Sequence, residues 1–133
     1  MDEIRLKELD KLQERMKYTF CNRALLITSL THKSYINENP LTGASDNERM
    51  EFLGDAVLGL CISDLLMKKH ADLDEGALSQ IRALLVREKP LADLAAKLGL
   101  GECLLLGRGE ENSGGRQKES LLANALEALI AAV

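Results

Sequence analysis

The sequence predicts a single all-α domain. Its apolar residues are chiefly Leu, Ala, Ile and Val, which recur at helical spacing, whereas Trp is absent and Phe and Tyr occur only twice each. Apolar residues make up 46% of the 133 residues and charged residues 29%, a balance that is ordinary for globular proteins. A chain of this length buries about two-thirds of its unfolded surface in one core. We therefore expect one helical domain over residues 1–133.

Two helices are expected at the start of the chain. Leu6, Leu9 and Leu12 recur at intervals of three within residues 4–20, with charged residues between them, which is the pattern of an amphipathic first helix. Asn22 is suited to cap the N-terminus of a second helix of about ten residues, because its side chain can accept a hydrogen bond from the first turn.

The central helix is expected from about residue 48 to residue 69. A loop rich in Asn, Pro and Gly at 37–43 precedes it, and Asp46 or Asn47 can cap its first turn. Beyond its first two turns this helix is apolar nearly all round. It ends in three basic residues at 68–70, which interact favourably with the negative end of the helix dipole.

The second half of the chain predicts three more helices. Asp74 precedes a fourth helix, and Pro90 starts a short fifth helix that Gly99 ends. Residues 107–116 are polar and glycine-rich, so we expect a flexible loop there. The last helix begins near residue 117 and continues to the end of the chain.

Charge and hydropathy limit the possible partners and the compartment. The net charge of −4 argues against non-specific nucleic-acid binding over the whole surface, but it permits a local basic strip and RNA bound through metal ions. No apolar run reaches the roughly 18 residues of a membrane span, and no signal-peptide pattern is present. Cys21, Cys61 and Cys103 are far apart among apolar residues. We expect all three to be reduced core residues of a cytoplasmic protein without a membrane partner.

The central helix carries three carboxylates on one face. Glu48, Glu51 and Asp55 fall within an arc of about 60° at 3.6 residues per turn. The same face continues with small and apolar residues as far as Leu66. Carboxylates on a face that enters the core are costly unless they are compensated, and a divalent cation is one such compensation.

A second polar cluster lies in the last helix. Asn124 and Glu127 are three residues apart on one face of an otherwise apolar segment. If the two helices pack side by side, Glu51 and Asp55 converge with this pair, and oxygen ligands of this kind suit Mg²⁺ or Mn²⁺. The alternative is that these polar side chains are simply solvated. Two such clusters within apolar helices favour the metal site.

The sequence also resembles a known family. Residues 47–58, Asn-Glu-Arg-Met-Glu-Phe-Leu-Gly-Asp-Ala-Val-Leu, are similar to the signature of the ribonuclease III family, the double-stranded-RNA endonucleases. Residues 30–35 resemble a segment upstream of that signature, and residues 107–116 and 121–130 resemble the loop and helix that complete the site. The resemblance covers nearly the whole chain. It implies the all-α catalytic domain of this family, with about six to seven helices, working as a homodimer.

The resemblance implies metal-assisted hydrolysis of double-stranded RNA. The expected cofactor is Mg²⁺, with Mn²⁺ as a possible substitute and no nucleotide cofactor. The expected products carry 5′-phosphate and 3′-hydroxyl ends with short 3′ overhangs, in the processing of ribosomal and messenger RNA. It makes Glu51, Asp55 and Glu127 metal ligands, with Asp55 and Glu127 catalytic. It places Glu48 at the edge of the site and Phe52 in the contact with the partner subunit.

Two features depart from the family pattern. Asn124, the fourth expected metal ligand, stands where the family has Asp, so it offers a carbonyl oxygen but no charge, which weakens a hard-cation site. Asn124 is either an engineered change or a natural variant. Because it weakens the expected metal site, the alternative to an active endoribonuclease is a catalytically silent RNA-binding or structural module on the same fold. A small-molecule metal hydrolase is a third, less specific reading. The last helix is still apolar at Val133, so we expect a truncated chain without the double-stranded-RNA-binding domain that many members carry.

Each of several further polar residues has two possible roles. His32 is expected to be packed and hydrogen-bonded rather than a general base, because a metal-bound hydroxide makes such a base unnecessary. Glu75 is expected to cap the fourth helix, with a contact to RNA or a partner as the alternative. Four basic residues are candidates for contacts with RNA phosphates or, alternatively, serve solubility. They are Lys33, Arg108, Arg116 and Lys118.

Overall fold

A computed structural model describes all residues, 1–133, and is built from helices and connecting turns. The α-helices are α1 (Glu3–Met16), α2 (Arg23–Ser29), α3 (Lys33–Glu38), α4 (Glu48–Lys69), α5 (Glu75–Leu85), α6 (Glu88–Lys97), α7 (Leu100–Cys103), α8 (Arg108–Asn112) and α9 (Glu119–Ala132). Two 3₁₀ turns span Pro40–Thr42 and Gly115–Gln117, and the only β-type pairing is an isolated bridge between Thr31 and Leu105. The prediction of an all-α domain is confirmed.

The six predicted helices are present, but some of their ends differ from the prediction. Helix α1 stops at Met16 because Lys17 adopts a left-handed conformation with φ 55°, a common way to end a helix. Helix α6 begins at Glu88, so Pro90 lies within its first turn rather than at its start. Proline is tolerated there because the first four N–H groups of a helix have no intrahelical partner. Helix α4 has the predicted limits.

Three short helices were not expected from the sequence: α3, α7 and α8, with six, four and five residues. Residues 107–116 are therefore not a flexible loop, as their glycine content suggested. The carboxylate of Glu38 accepts a hydrogen bond from the N–H of Arg108 at 2.6 Å, which holds the start of α8. Gly115 is buried so closely against Glu110 that a Cβ there would lie 2.7 Å from the Glu110 side chain.

Helix α9 lies at the centre of the fold. It packs against α2, α4 and α6, and seven of its fourteen residues are buried. Alanines at Ala125, Ala128 and Ala132 let neighbouring helices approach closely, while Leu122, Leu126 and Leu129 fill the core. The polar residues of α9 are therefore held on a helix that packs against three others.

Helix α4 is much less buried than its composition suggests. Only Gly54 and Leu66 are buried along its 22 residues. Phe52 is 83% exposed and Leu60 71%, and Met67 is exposed on the same side of the helix. In α5, Leu84 and Leu85 are also exposed. These exposed apolar side chains of α4 and α5 lie outside the core, and the set is called here the α4–α5 face. It comprises Phe52, Leu53, Leu60, Met67, Leu84 and Leu85.

The cysteines differ from the expectation of three core residues. Cys103 is buried, but Cys21 and Cys61 are exposed, and all three are free thiols. The apolar neighbours of Cys61 in sequence lie on the partly exposed helix α4, which explains why the sequence context was misleading. None of the helices combines the length and the apolar character that crossing a membrane would require.

Candidate functional site

The two halves of the predicted carboxylate site meet where α4 crosses α9. A Cβ added to Gly54 would lie 1.7 Å from the carbonyl oxygen of Glu127, so the two backbones are in direct contact there. Asp55 follows Gly54 in the chain, and Glu51 precedes it by one helical turn. The close approach of the backbones therefore brings the acids of α4 beside the acid of α9.

The carboxylates are close enough to change each other's ionisation. Burial, a hydrogen bond to Asp55 and the charges of Asp55 and Glu51 raise the pKa of Glu127 to about 7. Burial and the charges of Glu48 and Asp55 also raise the pKa of Glu51. Asp55 and Glu48 themselves are exposed rather than partly buried as expected, whereas Glu51 and Glu127 are half-buried. The protein thus concentrates negative charge that is only partly solvated.

A small cavity of about 80 Å³ connects this cluster to Asn124. Glu48, Glu51 and Asn124 line it together with His32 and Lys33 from the start of α3, and three more residues complete the wall. The remaining wall residues are Asn47, Leu104 and Leu121. Glu51 therefore lines this cavity and also lies near Asp55 and Glu127. The cavity brings Asn124 together with Glu48 and Glu51, whereas Asp55 and Glu127 do not line it.

The donor set is chemically suited to a hard divalent cation. Three carboxylates and one amide carbonyl offer only oxygen ligands, which Mg²⁺ and Mn²⁺ prefer. The raised pKa values of Glu51 and Glu127 reflect repulsion and desolvation that a bound cation would relieve. The side chains do not form a preformed cage, since no three acidic, His or Cys side chains are already arranged around one point. Mutual repulsion of the carboxylates opposes such an arrangement.

Asn47 anchors the N-terminus of α4 rather than capping it. Its side-chain amide donates a hydrogen bond to the carbonyl of Ser29 at 3.0 Å, and its backbone N–H donates to the carbonyl of Thr31 at 2.9 Å. The first-turn N–H of Glu48 is instead capped by the carboxylate of Asp46 at 3.0 Å. Because Asn47 is only 5% exposed, these bonds fix where α4, and hence Glu48 and Glu51, begins.

His32 is held in a local hydrogen-bond network, as the sequence suggested. Its Nδ1 accepts a hydrogen bond from the backbone N–H of Ser34 at 3.2 Å and lies 2.8 Å from the Ser34 hydroxyl. That hydroxyl accepts a hydrogen bond from the N–H of Gly107 at 2.9 Å. Burial is the main cause that lowers the pKa of His32, so the ring is held neutral more readily than a free histidine. This network joins the start of α3 to the segment before α8.

The four basic candidates occupy different environments. Lys33 lies beside the site, with its Nζ 3.5 Å from Glu48, and Arg108 has an exposed side chain at the start of α8. Lys118 donates to Glu110 at 2.6 Å and to Ser113 at 3.2 Å. Arg116 is engaged more completely, by Glu111 and by backbone carbonyls of α7 and the residue after it. Only Lys33 and Arg108 are readily available to an external phosphate.

Phe52 and Glu75 are both exposed. Phe52 begins the α4–α5 face, next to the acidic arc on the helix. Glu75 lies in the first turn of α5, but the cap of that helix is Asp74, whose carboxylate accepts from the N–H of Ala77 at 2.8 Å. The expectation that Glu75 caps α5 is therefore wrong. Glu75 instead lies in the first turn, where its negative charge interacts favourably with the helix dipole.

The sequence did not reveal the backbone contact of Gly54 with Glu127 or the anchoring role of Asn47. A glycine inside a helical pattern is unfavourable by about 1 kcal/mol relative to alanine, so its presence beside Asp55 signals a close approach of another backbone. No comparable signal marks Asn47, because its partners are the backbone carbonyls of Ser29 and Thr31, which lie 18 and 16 residues earlier in the chain.

Comparisons with known proteins agree with this architecture. A sequence model of a family described as Ribonuclease-III-like matches residues 22–133. Two bacterial relatives named Ribonuclease 3 come from Syntrophobacter fumaroxidans and Geobacter sulfurreducens, and they are 51% identical over 125 residues and 52% identical over 122 residues. These alignments cover 94% and 92% of this chain but 52% and 49% of the relatives. The chain therefore spans about half the length of the curated relatives it matches.

Solved structures of a nuclease domain have the same fold. The nuclease domain of ribonuclease III from Campylobacter jejuni is 46% identical and superposes with a TM-score of 0.85, covering 93% of this chain and 82% of that chain. That structure is described as having flexibility in a region involved in dimer formation. A crystal structure of the same domain at 2.2 Å resolution also gives a TM-score of 0.85 and covers 95% of this chain.

Proposed function

The chain belongs to the ribonuclease III family, and we propose that it is a catalytic domain that hydrolyses phosphodiester bonds of double-stranded RNA with a divalent metal. The observation that carries this proposal is that Glu51 and Asp55 of α4 lie close enough to Glu127 of α9 to raise its pKa, at the backbone contact between the two helices. In the proposed reaction the products carry 5′-phosphate and 3′-hydroxyl ends. The cellular role proposed with it is the processing of ribosomal and messenger RNA in the cytoplasm.

The metal ligands in this proposal are Glu51, Asp55, Asn124 and Glu127, with Glu48 at the edge. Mg²⁺, or Mn²⁺ in its place, supplies an activated water and stabilises negative charge on the phosphate oxygens. The half-buried Glu127 must lose its proton before it can act as a ligand, so its raised pKa couples metal binding to pH. Asn124 contributes a neutral oxygen, which makes this site weaker than one with a fourth carboxylate.

Lys33 and Arg108 are the proposed phosphate contacts on this chain. Lys33 lines the same cavity as Glu51 and Asn124, so a phosphate placed at the carboxylates lies within reach of its flexible side chain. Its ion pair with Glu48 is solvent-exposed and worth at most about 1 kcal/mol, so RNA can displace it at little cost. Recognition of the duplex then depends on its shape and its 2′-hydroxyl groups rather than on its sequence.

A homodimer through the α4–α5 face is the proposed assembly. Phe52, Leu53, Leu60 and Met67 fall within about 100° of arc on α4, so four exposed apolar side chains lie on one side of the helix beside the acidic arc. Contiguous exposed apolar surface is costly in a monomer and commonly marks an interface. A two-fold dimer would present one site to each RNA strand, which accounts for the short 3′ overhang proposed for the products.

The decisive test compares this chain with its Asn124→Asp variant. Each protein is incubated with long double-stranded RNA in Mg²⁺ or Mn²⁺, and the product ends are mapped. We expect weak or no cleavage by the chain itself and restored cleavage by Asn124→Asp, since the variant regains a charged ligand. Failure of both to cleave, with RNA binding intact, would favour the alternative of a catalytically silent RNA-binding module. Glu127→Gln in the Asn124→Asp background is the control for contaminating nucleases.

A further inference from the structure

We infer that Arg116 is a positioning residue for the candidate metal site and does not contact RNA. Together with Glu111 and the carbonyl groups of Gly101 and Leu104 it forms what is called here the Arg116 latch. The latch holds the segment before α9 in place, and through Leu104 it shapes the cavity that contains Asn124. The inference rests on the proposed function in so far as that cavity belongs to a metal site.

The guanidinium of Arg116 is almost fully used by contacts within the chain. Its Nε and Nη2 donate to the two carboxylate oxygens of Glu111 at 2.6 Å each, a bidentate ion pair. Its Nη1 donates to the carbonyls of Gly101 and Leu104, at 2.8 Å each. A guanidinium has five N–H donors, and these contacts use four of them, so one N–H on Nη2 remains. An RNA phosphate at Arg116 would have to displace Glu111.

Backbone packing reinforces the same contact. A Cβ on Gly101 would lie 2.5 Å from the carbonyl oxygen of Arg116, so α7 and the 3₁₀ turn at Gly115–Gln117 touch directly. Arg116 thus joins three pieces of chain: α7 with the residue after it, α8 through Glu111, and the turn that leads into α9. Because α9 starts at Glu119, the latch sets the entry of the helix that carries Asn124 and Glu127.

Leu104 links the latch to the site. Its side chain is buried and lines the cavity next to Asn124, Glu51 and His32, while its carbonyl oxygen accepts the hydrogen bond from Arg116. We expect loss of that bond to shift Leu104 and thereby to change the wall of the cavity. Residues that orient metal ligands from outside typically change metal affinity about 10- to 100-fold when they are altered.

The test uses two latch variants, Arg116→Lys and Glu111→Gln, their double variant, and Arg108→Gln as a matched control on the same surface. Lysine keeps the charge of Arg116 but cannot make the bidentate and carbonyl contacts together. Three quantities are measured for each: the NMR signals of the Asn124 side-chain amide, the affinity for Mn²⁺ by calorimetry, and the salt dependence of binding to double-stranded RNA. Glu111→Gln provides a second route to the same defect if Arg116→Lys folds poorly.

We expect each latch variant to shift the Asn124 amide signals and to weaken Mn²⁺ binding about tenfold, with the double variant no worse than either single change. The salt slope of RNA binding should stay as in the parent. Arg108→Gln should leave the amide signals and Mn²⁺ affinity unchanged and reduce the salt slope by about one.

Two results would overturn the inference. If Glu111→Gln tightens RNA binding while Arg116→Lys leaves the amide signals and the RNA affinity at parent values, Arg116 is a phosphate contact held in reserve by Glu111. If both latch variants lose thermal stability without any change at Asn124, the latch only stabilises the fold. Failure of the parent to bind Mn²⁺ and RNA would count against the proposed function, and the response of the Asn124 amide to Glu111→Gln would still decide the role of the latch.

Discussion

Gly54 lies against the carbonyl group of Glu127 so closely that a Cβ at residue 54 would sit 1.7 Å from the oxygen. We expect Gly54→Ala to force α4 away from α9 and to lower the free energy of unfolding by about 3 kcal/mol or more, because the obstacle is backbone that cannot rotate aside. Chemical denaturation followed by circular dichroism measures this change. The separation should also weaken Mn²⁺ binding, since it parts Asp55 from Glu127.

Gly59 provides a matched control in the same helix. A Cβ there meets nothing within 4 Å, so Gly59→Ala should gain helix propensity and stabilise the protein by up to about 1 kcal/mol. Equal effects of the two substitutions would show that α4 and α9 are not in backbone contact at Gly54.

Substitution of Asn47, at the N-terminus of α4, is expected to lower the stability of the protein. Its buried amide donates to the carbonyl of Ser29 at 3.0 Å, and Asn47→Ala leaves that carbonyl without this donor. The cost of a buried unsatisfied polar group is about 1–3 kcal/mol, so the melting temperature should fall accordingly. Asn47→Asp should cost more, because it places a carboxylate oxygen against the carbonyl. Asn37→Ala, at an exposed position in α3, should change stability by less than about 0.5 kcal/mol.

The helical framework was predictable where the signals for it are local. Helix α4 begins after Asp46, which caps it, and ends in basic residues, and both signals lie within one turn of the helix ends. Helix α8 was missed because it depends on Glu38, whose carboxylate caps it from 70 residues earlier in the chain. A pattern search within a short window does not detect such a partner.

The candidate site divides in the same way. Glu51, Asp55, Asn124 and Glu127 were predicted as candidate ligands because polar residues on apolar helices stand out in the sequence. The role inferred for Arg116 could not be predicted from the sequence, because most of its acceptors are backbone carbonyls, which every residue possesses. Apolar patterning also did not reveal that one face of α4 lies outside the core of its own chain, since the pattern is the same whether a helix packs against its own domain or against a second copy.

The exposed side chain of Phe52 predicts an oligomeric state that depends on it. We expect the chain to be a dimer at micromolar concentration and Phe52→Ala to raise the dimer dissociation constant about 30-fold or more, as truncation of an aromatic anchor residue in an interface costs about 2 kcal/mol or more. Sedimentation equilibrium measures both values. Leu41→Ala is the control, because Leu41 is 99% exposed but lies outside the α4–α5 face. A monomeric parent would remove the proposed dimer.

The pKa of Glu127, raised to about 7, predicts how stability depends on pH. A carboxyl group whose pKa is higher in the folded protein than in the unfolded chain binds more protons in the folded state between the two values. Its contribution to stability is therefore full below pH of about 4.5 and is lost as the pH rises through about 7. Since Glu127 is only half-buried and solvent screens its interactions, we expect a loss on the order of 1 kcal/mol rather than the full linkage value.

Glu127→Gln isolates this contribution from the other titrating groups. Glutamine remains neutral, so the variant should lose less stability than the parent between pH 5 and pH 8, and the difference between the two proteins gives the contribution of Glu127. Excess Mg²⁺ should restore stability to the parent at pH 8, where the carboxylate is ionised, and should do so less at pH 6, where protons compete for it. Parallel pH profiles for the two proteins would mean that Glu127 titrates as an ordinary exposed carboxylate, which would remove the electrostatic argument for a cation at this position.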